Sequence, residues 1–151
     1  MTDYVTFRLD GCDYATRIAD VREVVRLAEL TRLPGMSAPL AGILDLRGTS
    51  LPVLDIRSRE ASPGDVLVLN VDGTDYGFAC DRVTAVLDTG LLPPEEGGAA
   101  SGGALPGYVE QVLRGPDGAV FLVDVKAMAG DRALQAARAA LPEAGLSESQ
   151  T

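Results

Sequence analysis

Val86-Leu87-Asp88-Thr89-Gly90 has the sharpest catalytic pattern in the chain. Two apolar residues before Asp-Thr-Gly is the arrangement that aspartic proteolysis uses, where two such carboxylates share one proton and activate a water. A single copy is present, so that chemistry needs a homodimer, and Leu91-Leu92-Pro93-Pro94 is unlike a protease flank. The alternative is a strand ending in a turn, with Asp and Gly in their ordinary turn roles. The chain has no histidine, which removes the usual zinc sites, the Ser-His-Asp triad and the Cys-His pair together. Cys12 and Cys80 stand far apart and form no C-x-x-C; Cys80, in an apolar strand pattern, reads as a small core residue. Gly97 to Gly103 precedes no helix and carries no Lys, so a phosphate cradle is missing. The acidic residues follow no EF-hand spacing. Folding could bring Asp45, Asp55 and Asp81 together, but spacing alone does not decide it. With no catalytic motif intact, the expectation is a non-enzyme without cofactor or metal, working through its surface.

That surface centres on Gly42 to Arg57, G-I-L-D-L-R-G-T-S-L-P-V-L-D-I-R. Two apolar runs flank an Arg-Gly-Thr-Ser corner. Gly48 can take the positive φ of a tight turn, so a hairpin is the simplest reading. Pro52 lacks an amide proton and is expected where the ladder is open, at an edge or a bulge. Arg47 is then held on a rigid β corner, either solvated or forking onto a carboxylate across an interface.

The elements around this corner read as mostly β. Tyr4 to Leu9 and Cys12 to Thr16 alternate around Asp10-Gly11, a hairpin. Ile18, Val21, Val24 and Val25 fall at helical spacing, with Asp20 and Glu23 three apart like a capping box, so one or two helical turns are expected there. Each of Val21 and Glu23 then has a bland role (core residue, capping carboxylate) and a partner-contacting one. Leu27 to Leu33 is extended, Pro34-Gly35 and Pro39 mark a loop, and Arg57 to Asp65 is another. Val66 to Val71 and Tyr76 to Cys80 flank an Asp72-Gly73 turn. Glu95 to Gly103 is a glycine-rich flexible loop. Tyr108 to Arg114, Pro116-Asp117-Gly118 and Ala119 to Val125 form a last hairpin. Asp131 caps a helix expected over 131–141, and 143–151 is expected to be a disordered tail.

An internal repeat emerges from these pieces. Leu9-Asp10-Gly11-Cys12-Asp13-Tyr14 matches Val71-Asp72-Gly73-Thr74-Asp75-Tyr76, and Leu46-Arg47-Gly48 recurs as Leu113-Arg114-Gly115. Strands ending in Asp55-Ile56 and Asp124-Val125 follow. The shared order predicts two similar small β-barrels, halves about 4–57 and 65–129 with strands possibly exchanged, in a single domain over 1–142. Hairpins of this length are not stable singly, so the halves must share a core or a seam.

At 151 residues with 46% apolar content, a sizeable core needs no disulfides. The net charge of −9 repels phosphate backbones and anionic lipid, which argues against nucleic-acid and membrane-surface binding. Met1-Thr2-Asp3-Tyr4 starts no signal-peptide pattern, and no apolar run approaches the ~18 residues of a membrane span. A cytoplasmic protein is expected.

Gly42-x-x-Asp45-Leu46-Arg47-Gly48-x-x-x-Pro52-Val53-x-Asp55-Ile56-Arg57 is similar to the G-x-x-N-L-R-G-x-x-x-P-x-x-D-L-R run of the CheW family of chemotaxis coupling proteins. Tyr14 and Asp20-Val21-Arg22-Glu23-Val24-Val25 fit that family's upstream pattern, and Gly77, Asp81, Val83, Val86-Leu87 and Pro93-Pro94-Glu95 fit more loosely. The resemblance covers about residues 4 to 129. It implies two intertwined SH3-like five-stranded β-barrels with short helices. It also implies an adaptor that bridges chemoreceptor cytoplasmic tips to the regulatory domain of a CheA-type histidine kinase. Val21, Glu23, Val24, Arg47 and Gly48 fall on the family's partner-binding positions. The chain departs from the family at Asp45, which replaces Asn, in the loop Ser58 to Asp65, and in the glycine-rich stretch Glu95 to Gly103. These departures keep open a divergent scaffold of the same fold serving a non-motility chemosensory system.

Overall fold

The computed structural model describes residues 3–32, 34–35, 39–58, 63–71, 73–88, 90–91 and 106–130. The Glu95–Gly103 loop, Pro93-Pro94, the helix expected over 131–141 and the tail lie outside the described residues. The strands are β1 (Tyr4–Leu9), β2 (Cys12–Arg17), β3 (Val21–Arg26), β4 (Leu40–Leu46), β5 (Thr49–Leu54), β6 (Asp65–Val71), β7 (Thr74–Cys80), β8 (Arg82–Asp88), β9 (Val109–Gly115) and β10 (Gly118–Val123). One short helix, α1 (Val125–Ala129), follows, with Asp124 accepting from the Lys126 and Ala127 amides as its N-cap. The last strand, expected through Val125, ends at Val123, and this helix begins where the sequence pattern still reads as strand.

The strands form two five-stranded mixed sheets, ordered β8-β1-β2-β10-β9 and β3-β6-β7-β5-β4. Replacing β1, β2, β3, β4 and β5 by β6, β7, β8, β9 and β10, and the reverse, turns one order into the other. The duplication is therefore real at the level of topology, and its halves trade strands. Each half gives its first hairpin to one sheet and its last three strands to the other. The two Leu-Arg-Gly runs are not structurally equivalent. The β4–β5 turn is Arg47-Gly48 and the β9–β10 turn is Pro116-Asp117, so Arg114 lies inside β9, two residues short of the place matching Arg47.

Among the described residues, three cores follow from strand alternation. In β6, Val66 and Val68 face one cluster with Leu44, Leu51, Val53 and Ala79. Leu67 and Leu69 face another with Phe7, Phe78, Cys80 and Val123, drawn from both sheets. Burial on both faces explains why this strand reads as a continuous apolar run. A third cluster, Ala15, Leu113, Val120 and Leu122, belongs to the β8-β1-β2-β10-β9 sheet. Each fully buried Leu, Val or Phe contributes about 1.5–3 kcal/mol, so the shared seam is a principal source of stability.

Two expectations about the corner change. Val21 to Arg26 is a strand, preceded only by the 3-10 turn Ile18–Asp20. Pro52 is buried in an interior strand, not at an edge or a bulge. Ile43, opposite Pro52, turns both its amide and its carbonyl toward Thr31, so no amide of Pro52 is required on that side. On the other side, pairing of β5 with β7 begins only at Val53.

Candidate functional site

The β4–β5 turn positions two exposed members of the predicted set, Arg47 and Gly48. Arg47 and Gly48 have φ of 52° and 84°, both left-handed, as a two-residue type I′ hairpin turn requires. Gly48 accepts this conformation freely. An arginine there costs about 1–2 kcal/mol, so the turn is held by other means. Asp45 Oδ1 accepts the Gly48 N–H at 3.0 Å, an acceptor role that sequence reading did not assign to Asp45. The Arg47 guanidinium donates from Nη2 to Glu23 Oε2 at 2.7 Å.

That pair spans the sheet. Glu23 lies on β3 at one edge of the central sheet, and Arg47 lies beside β4 at the other. The edges can meet only because the sheet curls on itself, and the ion pair closes the barrel across its mouth. Arg47 remains 68% exposed and Glu23 37%, so both groups still face solvent. Such a pair contributes at most about 1 kcal/mol to stability, less than the strain at Arg47.

The structure thus brings together Glu23, Arg47 and Gly48. It does not bring Val21 and Val24 to the same face. Both are half-buried and pack against the seam core, while Val25 packs into the barrel. Glu23 does not cap a helix. Of the three acidic residues singled out earlier, Asp55 and Asp81 do meet, around Arg57, and Asp45 stays on its own turn.

The other motifs resolve into structure. Asp88 ends β8, where its backbone pairs with Tyr4, and Thr89 lies outside the described residues. Cys80 is buried and Cys12 exposed, both as free thiols. Burial, with Asp65 nearby, pushes the Cys80 thiol up to about 12, so it is no nucleophile. Burial, with Cys12 nearby, likewise raises the Tyr14 hydroxyl to about 12. Among the described residues no three His, Cys, Asp or Glu side chains are grouped to hold a metal. No described helix is long and apolar enough to cross a membrane.

Comparison with known proteins agrees with this architecture. The chain is similar to the chemotaxis protein CheW of Treponema pallidum, 24% identical over 142 residues that cover 87% of this chain and 84% of that protein. It is 33% identical to the chemotaxis protein CheW of Bacillus subtilis over 55 residues, 36% of this chain and only 35% of the relative. Among solved structures, the scaffolding protein TtCheW of Thermoanaerobacter tengcongensis superposes with a TM-score of 0.61 at 25% identity, over 83% of this chain and 86% of that one. The family model described as the CheW-like domain matches residues 3–133. Two strand-exchanged barrels with a guanidinium closing one mouth are thus a CheW-like domain, and the chain belongs to that family.

Proposed function

We propose that this protein is a non-catalytic adaptor that couples chemoreceptors to a CheA-type histidine kinase in bacterial chemotaxis signalling. The observation that carries the reading is Arg47, an exposed cation kept in a left-handed turn by Asp45 and Glu23. Strain that stability does not require is commonly found at functional positions. The guanidinium fork suits a partner carboxylate, which would take the place of, or join, Glu23. Gly48 lets the partner approach the backbone, and Val21 and Val24 set the position of β3 through the seam. Nothing is catalysed: the adaptor holds receptor and kinase in one geometry, and differential contacts let receptor state bias the kinase.

The test is binding of the full chain to a kinase regulatory domain and to a receptor tip. Both should bind, and Arg47→Glu should weaken kinase or receptor binding by about 10- to 150-fold, the range of a charge-assisted bond of ~1.5–3 kcal/mol. The melting transition of Arg47→Glu should stay cooperative. Failure of the wild-type chain to bind either partner overturns the reading in favour of a scaffold with other partners. An Arg47→Glu chain that does not fold makes Arg47 structural.

A further inference from the structure

The duplication gives the seam between the barrels two matching ends, and they are built differently. At the first, Arg57 leaves β5 with its side chain wholly buried, at 0% exposure. It grips Asp55 through Nε and Nη2, each at 2.9 Å, and donates from Nη1 to the Pro63 carbonyl at 3.1 Å and to Asp81 Oδ1 at 3.3 Å. From there the bonds cross to the other sheet. Asp81 Oδ2 accepts the Asp10 N–H at 2.8 Å, and the Asp81 N–H donates to the Arg8 carbonyl at 2.9 Å. Ser58 adds its N–H and hydroxyl to the Asp10 carboxylate at 3.0 and 3.1 Å. Asp10 itself sits at φ 52°.

At the second end, Asp124, Val125 and Lys126 occupy the places of Asp55, Ile56 and Arg57. Asp124 spends its carboxylate on the cap of α1, and Lys126 is exposed. A small cavity separates these residues from Asp20 of the 3-10 turn and from Leu69 and Asn70 of the other sheet. Among the described residues no side-chain hydrogen bond crosses the seam there; Asn70 turns to Asp75 on its own sheet. Among the described residues the closure there is apolar, through Val125 and Met128 in the seam core.

Apolar burial is non-directional and tolerates sliding. A bidentate arginine clamp with charge-assisted bonds on several sides does not. We propose that the two barrels rock about the Arg57 end as a fixed pivot, with the α1 end as the moving lip. The motion combines hinge and shear: Arg57 fixes the axis, and Met128 slides over Leu67 and Leu69. The proposal is independent of which partners bind.

Pulsed electron spin resonance on the full chain tests it, with one pair of spin labels at each end. Cys80 is buried and does not label, so the pivot pair uses Cys12 with Arg26→Cys. The lip pair uses Arg22→Cys with Gln111→Cys in a Cys12→Ser background. The lip distance distribution should be at least about twice as wide as the pivot distribution. Asp10→Gly combined with Asp81→Ala removes the crossing side-chain bonds and leaves the Asp55–Arg57 pair; glycine takes φ 52° without strain. That variant should widen the pivot distribution toward that of the lip. A lip no wider than the pivot in the labelled chain without these two substitutions overturns the proposal, whether or not the double variant folds. So does a folded double variant whose pivot distribution is unchanged.

Discussion

Arg47 and Arg57 belong to one motif and have opposite fates. One is solvent-facing and held by a single carboxylate; the other is wholly buried among Asp55, Asp81 and backbone carbonyls. Sequence could place both near turns but could not separate them, because burial is decided by strands that arrive from elsewhere in the chain. Thr16 is a residue where burial costs stability. Its Oγ1 is buried with no hydrogen-bond partner among the described residues, and an unsatisfied buried hydroxyl costs about 1–3 kcal/mol. Thr16→Val keeps the shape and removes the cost, so it should raise stability in urea by about 1 kcal/mol. A lower urea midpoint would mean that the hydroxyl has a partner. Cys80 makes a second residue-scale prediction. Its thiol is raised from 9.0 to about 12 by burial, so the unfolded chain loses that proton first as pH rises. Stability is therefore intact below pH 9.0 and falls above it, at about 1.4 kcal/mol per pH unit for one group. Tyr14, raised from 10.0 to about 12, adds to the loss only above pH 10.0. Urea midpoints for Cys80→Ala should stay flat between these two values, where the parent chain declines.

At the scale of elements, β3 shows how a local pattern misleads. Val21, Val24 and Val25 follow helical spacing, yet Val21 pairs with Leu69 and Glu23 with Val68, a bulge that puts one extra residue into the strand. The bulge breaks alternation and leaves Val21 and Val24, three apart, on the seam side, which imitates one face of a helix. The run of β-branched valines favoured the strand. Pro52 misled in the other direction, since the neighbours of β5 spare its missing amide. The edge strand β4 is covered by residues outside any sheet. Thr31 pairs with Ile43 through two bonds of 2.8 Å, and a Cβ on Gly42 would meet Leu30 Cβ at 2.7 Å and the Thr31 carbonyl at 3.0 Å. Gly42→Ala must push this cover away or bend β4. Overpacking of this kind costs about 1–3 kcal/mol. A lower denaturant midpoint and faster exchange of the Thr31 and Ile43 amides should accompany it; unchanged exchange would show that the cover yields without loss of its bonds.

For the whole molecule, the order of the repeat was legible because each hairpin carries its own turn residues, whereas the partner of each hairpin was not. Asp10-Gly11 announces β1–β2, but nothing local says that β2 lies parallel to β10 or that β7 lies parallel to β5. Those pairings are set by the seam core, where Phe7 and Val123 from one sheet meet Leu67 and Phe78 from the other. Strand exchange has a consequence that two independent barrels would not share. A fragment 1–60 holds β1 to β5, only two strands of one sheet and three of the other, and a fragment 61–151 holds the complement. Each alone leaves its part of the seam core exposed and its sheets with missing neighbours. Two-stranded hairpins are at best marginal in water, so each fragment should lack a cooperative melt by far-ultraviolet circular dichroism. Mixed at equal concentration, the two fragments should assemble through the seam and regain one transition, lower than that of the intact chain because association now opposes it. A cooperative melt from fragment 1–60 alone would mean that β3 to β5 close a core without β6 and β7, which the burial of Val53 against Val66 and Val68 does not allow.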